Sequence, residues 1–208
     1  MQGQHLLMSE LLYGAGLRLM ECVRLRVNSI DIERGMIYVR LGKGGKDRGV
    51  PLPKTLAEKL KTQLETVRRI HTADLAEGFG EAWLPEGFAR KMGPGARDLG
   101  WQYLFPAKKR SVDPRSGRER RHHVLASGLQ KAVRVAALRT GLTKRVTSHT
   151  FHHSYATHLL ENGVNIRIVQ ELMGHADVKT TEIYTHVMQK NLAAVASPLD
   201  TLRNDDPT

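Results

Sequence analysis

Six polar side chains, spread over four separate segments, are of the kinds that can act on a phosphate group. They are one guanidinium, one amine, three imidazoles and one phenol, carried by Arg18, Lys46, His149, His152, His175 and Tyr184. A guanidinium can hold two phosphate oxygens at once and stabilise the charge that grows on them during attack. A phenol can attack, and an imidazole or an amine can move a proton.

Each of these side chains, taken alone, has an ordinary structural explanation. An arginine near a helix start is usually a solvated surface residue, and GKGGK, which ends at Lys46, could be only a flexible turn. His149 could be a satisfied histidine near a helix start, and a tyrosine on a terminal helix is usually packed. The order, spacing and local sequence of all four segments together favour a functional role.

The elements that must position the first two segments follow from apolar spacing. Residues 5–27 predict two short helices with a glycine bend at 13–16, just before Arg18. Residues 36–41 and 49–52 predict two strands of a hairpin whose turn carries lysines. Residues 54–72 predict an amphipathic helix.

The middle of the chain has a different composition. Residues from about 77 to 105 are rich in glycine and carry Trp83, Phe88 and Trp101, which indicates an insertion or a long functional loop. Residues 106–123 are the most basic stretch and include a turn at 113–117. We expect this stretch to contact phosphates, although a solvated basic loop is the plain alternative.

The last two segments lie in a part of the chain that the sequence predicts to be helical. Helices are expected over about 124–140, 149–162 and 165–173, the last ending at Gly174. His149 and His152 are three residues apart, which places them on one face of their helix. A further helix is expected to begin near Asp177 and to contain Tyr184, and the polar tail from residue 198 is expected to be disordered.

Composition narrows the partner and the compartment. The 208 residues include 32 Lys and Arg against 21 Asp and Glu, a net charge of +11 that favours a polyanion such as nucleic acid. Cys22 is the one cysteine, so no disulfide can form within the chain and a reducing cytoplasm is the simplest compartment. The first residues do not form a signal peptide, and no apolar run approaches the roughly 20 residues needed to span a bilayer.

The four segments resemble the four signature segments of the tyrosine recombinase family. They read GAGLRLMECVRLRV, LGKGGKDRGVPLP, HTFHHSYATHLLENG and LMGHADVKTTEIYTHV. The stretch WQYLFPAKKRSVDPRSGRERRHH and the aromatic insertion before it are similar to those of integron integrases. The resemblance implies an α+β fold, a mostly helical catalytic domain over residues 1–200 with a small antiparallel sheet, followed by a tail at 201–208.

The resemblance also implies the roles of the residues. Tyr184 would attack DNA and form a 3′-phosphotyrosine link, Lys46 would be the general acid, and Arg18 would clamp a phosphate oxygen. His149 and His175 would contact the phosphate or assist proton transfer, and neither a metal nor a cofactor is expected. The expected DNA contacts are Lys43, Arg48, Lys108, Lys109, Arg110, Arg120 and Arg121.

The same resemblance implies the partners. These are double-stranded DNA or folded single-stranded DNA, bound by a tetramer of a chain that is monomeric on its own, at the nucleoid in the cytoplasm. The segment after Tyr184 is apolar enough to serve as the helix that such assemblies exchange, or simply to pack on its own domain. No membrane partner is expected.

The sequence departs from the family pattern in two places. The family has His-x-x-Arg where this chain has His149 and His152, and the frame continues unchanged afterwards. Histidine lacks the fork and reach of arginine, so we expect cleavage to be slower by about 10²–10³. A catalytically inactive DNA-binding domain of the same fold is the alternative. Because Arg18 lies within the first twenty residues, we also expect the family's N-terminal core-binding domain to be absent.

Two other enzyme classes remain open on the sequence. His149 and His153 have the spacing that lets two imidazoles share a zinc ion, but HTFHH lacks the glutamate of a zinc hydrolase motif. A type IB topoisomerase would use similar residues, and the integron-like insertion argues against it.

Overall fold

Two units make up the chain in the computed structural model, which describes residues 1–40, 47–175, 177, 179–182 and 184. The first unit is Met1–Tyr155 and the second is Ala156–Thr208. The architecture is mostly helical with two small antiparallel sheets, which confirms the predicted fold class. Within the described parts, no helix combines the length and the apolar character needed to cross a lipid bilayer.

The glycine bend near the N-terminus separates two helices, as the sequence predicts. Helix α1 (Gly3–Gly14) buries Leu11 and Leu12 completely, and α2 (Leu19–Val23) begins directly after Arg18. Gly16 has φ +61°, and a Cβ there would lie 2.3 Å from the Cδ1 atom of Tyr155. Only glycine fits this bend, because both the backbone conformation and the space exclude a side chain.

The first sheet contains the predicted hairpin and one additional strand. Strands β1 (Ile30–Asp31), β2 (Met36–Val39) and β3 (Arg48–Pro51) pair antiparallel in the order β1-β2-β3. Ile37 and Val39 are buried in the core and alternate with the partly exposed Met36 and Tyr38. The turn between β2 and β3, with Lys43 and Lys46, lies outside the described residues.

The region after the sheet begins with the predicted amphipathic helix, which extends further than the sequence indicated. Helix α3 (Ala57–Ala76) follows a 3₁₀ turn at Lys54–Leu56. The glycine-rich stretch that follows is not only loop, because it contains α4 (Glu86–Met92) and 3₁₀ turns at Gly93–Arg97 and Leu99–Trp101.

The basic stretch forms a second, two-stranded sheet. Strands β4 (Ser111–Val112) and β5 (Glu119–Arg120) pair antiparallel around the predicted turn, where the Gly117 amide donates to the Asp113 carbonyl at 2.8 Å. Helix α5 (Ala126–Arg139) follows, which confirms the helix predicted over about 124–140.

The chain passes from the first unit into the second along α6 (Ser148–Glu161). Helix α7 (Ile166–Met173) begins at Asn165, whose side chain accepts from the Arg167 amide, and ends at Gly174 in the left-handed region, as predicted. Helix α8 is short (Lys179–Glu182), so the expectation that Tyr184 lies within a helix was wrong. The Tyr184 amide donates to the Thr181 carbonyl three residues back, which closes a turn instead of continuing an α-helix.

Candidate active site

Arg18 is held in place by a carboxylate at the start of α2. The Arg18 amide donates to Glu21 Oε2 at 2.8 Å, and its guanidinium donates to Glu21 Oε1 at 3.0 Å. The same carboxylate accepts two hydrogen bonds from Arg48, both at 2.8 Å. Glu21 therefore orients both arginines, and the sequence analysis missed it. Its signal was the spacing, since a glutamate three residues after a helix N-cap commonly folds back onto it.

The charge state of Glu21 follows from its neighbours. Burial by itself raises the pKa of this carboxyl, but the hydrogen bonds and charges of Arg48 and Arg18 outweigh burial and lower the pKa from 4.5 to about 2. Glu21 is consequently ionised at any working pH, which keeps Arg18 oriented. Arg48, predicted as a DNA contact, is mostly buried in this ion pair.

We predict that Glu21→Gln destabilises the protein, because two guanidiniums lose the charge that compensates them. Breaking a buried ion pair by removing one partner costs about 3–5 kcal/mol. Glu58→Gln is the matched control, because Glu58 is 83% exposed in its pair with Lys61 and should change stability by about 1 kcal/mol or less.

Urea unfolding at several pH values checks the Glu21 prediction. The depressed pKa means that the stabilisation is complete above pH 4.5 and disappears as pH falls toward about 2. The difference between the original chain and Glu21→Gln should therefore shrink over that range. A difference that stays constant down to pH 2 would show that the charge of Glu21 is not the cause.

His152 contacts the bend that precedes Arg18. Its side chain is buried, with 4% exposure, and its Nδ1 atom lies 2.7 Å from the Gly16 carbonyl oxygen. Because a carbonyl only accepts, Nδ1 must carry the proton and donate. The structure thus places His152 against Gly16, which lies two residues before Arg18 in the chain. His149, one turn earlier on α6, is exposed.

In the second unit, Thr181 connects the other two predicted residues. The Thr181 hydroxyl is 2.9 Å from His175 Nδ1, and its carbonyl accepts from the Tyr184 amide at 3.1 Å. Thr181 is fully buried, and nothing in the sequence distinguished it from its neighbours. Tyr184 is 5% exposed, and burial raises the pKa of its phenol. The hydroxyl is therefore protonated near neutral pH.

An open cavity of about 1040 Å³ in the first unit joins Arg18 to the aromatic residues of the insertion. Its aromatic lining consists of Trp83, Phe88, Trp101, Tyr103, His122 and His123. Phe88 and Trp101 pack edge to face at 5.0 Å between ring centroids. The rings of His122 and His123 lie 5.2 and 5.1 Å from that of Tyr103. Trp83, Phe88 and Trp101 stand out in the sequence as aromatic residues of a glycine-rich stretch, whereas nothing in the sequence distinguishes the two histidines.

The arginines of the basic stretch hold carboxylates. Arg110 donates to Asp74 at 2.7 Å, and Arg121 donates to both oxygens of the same carboxylate at 2.6 and 2.7 Å. Asp74 is 3% exposed. Arg110 also pairs with Glu77 and Glu119, and Arg120 pairs with Glu81 and Asp113. These three predicted DNA contacts therefore also brace the β4–β5 hairpin. Lys108 and Lys109 are exposed, with no carboxylate partner in the described ranges.

We predict that the two kinds of cation respond differently to mutation. Lys108→Gln with Lys109→Gln should leave the melting temperature unchanged and reduce the salt slope of binding to duplex DNA by about one for each lysine that contacts a phosphate. Arg110→Gln with Arg121→Gln should destabilise the protein, because Asp74 loses both partners. Thermal melts and binding between low and moderate salt check both. An unchanged slope in the lysine variant would exclude phosphate contacts by these residues.

Among the residues with described positions, no three His, Cys, Asp or Glu side chains come together as metal ligands. Burial lowers the pKa of His153, and the nearby His149 lowers it further. The zinc reading therefore gains no third ligand from this part of the chain.

Solved structures with the same architecture define the class of the fold. A crystal structure of XerA recombinase aligns with a TM-score of 0.58 and 24% identity, covering 99% of this chain and 63% of that one. XerH recombinase, solved bound to its palindromic difH substrate, aligns with a TM-score of 0.60 and 24% identity over 95% of this chain and 46% of that one. The fold is that of a tyrosine recombinase catalytic domain.

Sequence comparison gives the family. The model of the phage integrase family matches residues 2–191. An integrase/recombinase of Escherichia coli is 45% identical over 202 residues, 97% of this chain and 60% of that protein. Tyrosine recombinase XerA of Thermococcus onnurineus is 38% identical over 182 residues, 88% of this chain and 50% of that protein. The chain belongs to the phage integrase family, the tyrosine recombinases, and spans 50–60% of the length of these two relatives.

Proposed function

We propose that this chain breaks and rejoins DNA as the catalytic part of a site-specific recombinase. The observation that carries the proposal is the guanidinium of Arg18, fixed by an ionised Glu21 at the edge of an open basic cavity. A rigid guanidinium at an open surface is suited to a phosphate oxygen on which charge grows. The XerH structure bound to difH supports DNA as the partner.

The reaction uses the hydroxyl of Tyr184 as its nucleophile. Its oxygen gives up its proton, for which His149 or His175 is the proposed acceptor, and bonds to phosphorus as the bond to the 5′-oxygen breaks. The leaving 5′-oxygen takes a proton, a role we assign to Lys46. The phosphotyrosine keeps the energy of the broken bond, so a 5′-hydroxyl of another strand can reverse the step. Arg18 stabilises the phosphate oxygens, with His149 and His175 as further contacts or proton carriers.

Covalent trapping tests the proposal. A nicked duplex is used, carrying a site selected by binding from a random pool, so that the short 5′ fragment is lost after cleavage and religation is blocked. Protein-linked DNA then accumulates on a denaturing gel, slowly for the original chain and faster for His152→Arg. Both proteins binding the site without forming any adduct would overturn the proposal.

A second candidate is a DNA-binding domain of the same fold that does not cleave. His152 favours it, because this side chain is buried and hydrogen-bonded to the Gly16 carbonyl in place of an arginine fork. It predicts DNA binding without an adduct in the original chain. The trapping experiment separates the two candidates.

The finer specificity we propose is of the integron type, with an unpaired base of a folded strand entering the aromatic cavity. The rings of Trp83, Phe88 and Trp101 that line it support this, since base stacking on an aromatic ring is worth about 1–3 kcal/mol. We predict about tenfold tighter binding of a hairpin with one unpaired base than of the fully paired hairpin. Trp101→Ala should remove that difference, and equal affinity in the original chain would contradict it.

We further propose that the chain is monomeric alone and acts as a tetramer on two duplexes, at the nucleoid in the cytoplasm. The net charge of +11 supports association with DNA and opposes self-association without it. The segment 185–199, proposed as the exchanged helix, lies outside the described residues. Sedimentation with and without a bound site measures both states.

A further inference from the structure

The aromatic cavity is also lined by arginines, some of which have no carboxylate partner among the described residues. The basic side chains that line it are Arg18, Arg24, Arg26, Arg40, Arg115, Arg120, His122 and His123. Arg18 and Arg120 are paired with carboxylates. Arg24 and Arg40 are exposed at the surface of the cavity, and neither forms an ion pair with any residue whose position is described.

Arg26 fixes a positive charge between the two tryptophans. Its guanidinium donates to the main-chain carbonyls of Trp101 and of Trp83, the latter at 2.7 Å, and lies 4.5 Å from the centroid of the Tyr103 ring. Carbonyl dipoles satisfy its donors without cancelling its charge. A partly buried cation without a counter-ion attracts an anion strongly, because few waters screen it.

The positive charges of these arginines affect the two histidines of the cavity, His122 and His123. Burial lowers the pKa of both His122 and His123, and the charges of Arg24 and Arg26 lower it further. The rings of the two histidines are 4.1 Å apart, so protonation of one also disfavours that of the other. Burial is the larger cause, and the charges of the two arginines act in the same direction, as expected beside a group of cations that attracts an anion.

The carboxylates of the cavity do not offset this charge. Glu21, Asp47 and Asp113 line it, but Glu21 is paired with both Arg18 and Arg48, and Asp113 is paired with Arg120. The remaining lining carboxylate, Asp47, supplies one negative charge against the three positive charges of Arg24, Arg26 and Arg40. The balance at Arg24, Arg26 and Arg40 stays positive.

The charged and aromatic parts of the cavity are adjacent. The Arg40 guanidinium lies 5.9 Å from the centroid of the Trp101 ring, and the ring of Phe88 also packs on Trp101, edge to face. A flat group stacked here would have a cation beside it. The cavity volume of about 1040 Å³ is at the upper end of ligand sites and is ample for one nucleotide.

We propose that this cavity binds a complete nucleotide, with the base against Trp101 and Phe88 and the phosphate on Arg24 and Arg40, beside the fixed charge of Arg26. The inference rests on the proposed entry of an unpaired base and adds the subsite that binds its backbone. Since a phosphate carries no sequence information, such a nucleotide is positioned whatever its base. The guanidiniums of Arg24 and Arg40 bind the phosphate, and the rings of Trp101 and Phe88 stack on the base.

The protein carries its own probe for this test. Its two tryptophans, Trp83 and Trp101, both line the cavity, so the fluorescence of the whole chain reports on that site. The full chain is titrated with deoxyadenosine 5′-monophosphate and with deoxyadenosine at low salt. We expect the nucleotide to bind about tenfold tighter or more, the size of one or two hydrogen bonds to a charged group. Added salt should reduce that advantage.

Two variants and a matched control locate the effect. Arg40→Gln and Arg24→Gln should each lose most of the preference for the nucleotide and leave deoxyadenosine binding unchanged. Arg134→Gln removes the same charge from an exposed position on α5 outside the cavity and should keep the preference. Inorganic phosphate should compete with the nucleotide and not with the nucleoside.

Three results would overturn the phosphate subsite. They are equal affinity for nucleotide and nucleoside, no fluorescence response to either, and an Arg134→Gln protein that loses as much preference as Arg40→Gln. Failure of the proposed catalysis would look different. A chain that prefers the nucleotide but never forms a covalent adduct would support the phosphate subsite and contradict the catalysis. A chain that forms the adduct but binds nucleotide and nucleoside equally would support the catalysis and contradict the phosphate subsite.

Discussion

Changing Tyr184 to phenylalanine should abolish the covalent DNA adduct and leave DNA affinity within about two-fold, because in the proposed mechanism the lost hydroxyl acts only in the chemical step. His152→Arg is the background for the measurement, since it raises the signal. Tyr155→Phe is the matched control, because Tyr155 is also buried, its pKa is also raised by burial, and its ring packs against Gly16. Its loss of a hydroxyl should preserve the adduct.

The pH dependence of trapping gives a second check on Tyr184. Burial raises the pKa of this phenol, so the phenolate is rare at neutral pH. If attack proceeds through the phenolate, its fraction grows about tenfold per pH unit below the pKa. Adduct formation should therefore rise from pH 7 toward pH 9 while binding stays constant. An adduct that persists in Tyr184→Phe would assign the nucleophile to another residue.

The parts of the fold that sequence predicts well are those with a repeating apolar pattern. α3, α5 and α6 bury one face over several turns, so their positions could be read from spacing. Strands β1, β4 and β5 have two residues each, which is too short for any alternation to show. Their pairing depends on neighbours that only the folded chain supplies.

The site shows the same division between local and distant information. Arg18 and Tyr184 belong to local motifs, and the resemblance predicts a role for each from those motifs alone. The charge of the basic stretch was visible in the sequence, but its purpose was not, because the partner of Arg121 is Asp74, 47 residues earlier. Contacts between residues far apart in the chain cannot be predicted from local charge. The net charge of the stretch therefore suggested DNA contacts for Arg110, Arg120 and Arg121 and gave no sign of their carboxylate partners.

The largest increase in activity is expected from His152→Arg. An arginine at this point of α6 has a longer arm and five donors, enough to keep a hydrogen bond to the Gly16 carbonyl and still present a fork to the phosphate. The site of His152 is buried, so the larger side chain can cost about 1–3 kcal/mol of stability through overpacking. Thermal melts of each variant must accompany the kinetics.

The rate of single-turnover cleavage should rise by about 10²-fold or more in His152→Arg, the usual contribution of one strong donor to the charge of a transition state. DNA affinity should change far less than the rate, because the contact matters most when that charge has developed. An unchanged rate in a folded variant that binds DNA would show that His152 does not stand in the place of the family's arginine.

His152→Gln separates the charge of the imidazole from its hold on the bend. Its amide can still donate to the Gly16 carbonyl, but it carries no charge at any pH. Both proteins share Tyr184 and Lys46, so the ratio of their rates at one pH reports on position 152 alone. If the imidazole itself stabilises charge on the phosphate, the original chain should cleave faster than His152→Gln, by up to about 10²-fold, the usual contribution of one donor. Equal rates mean that His152 only supports the bend, and the gain expected from arginine must then come from its fork alone.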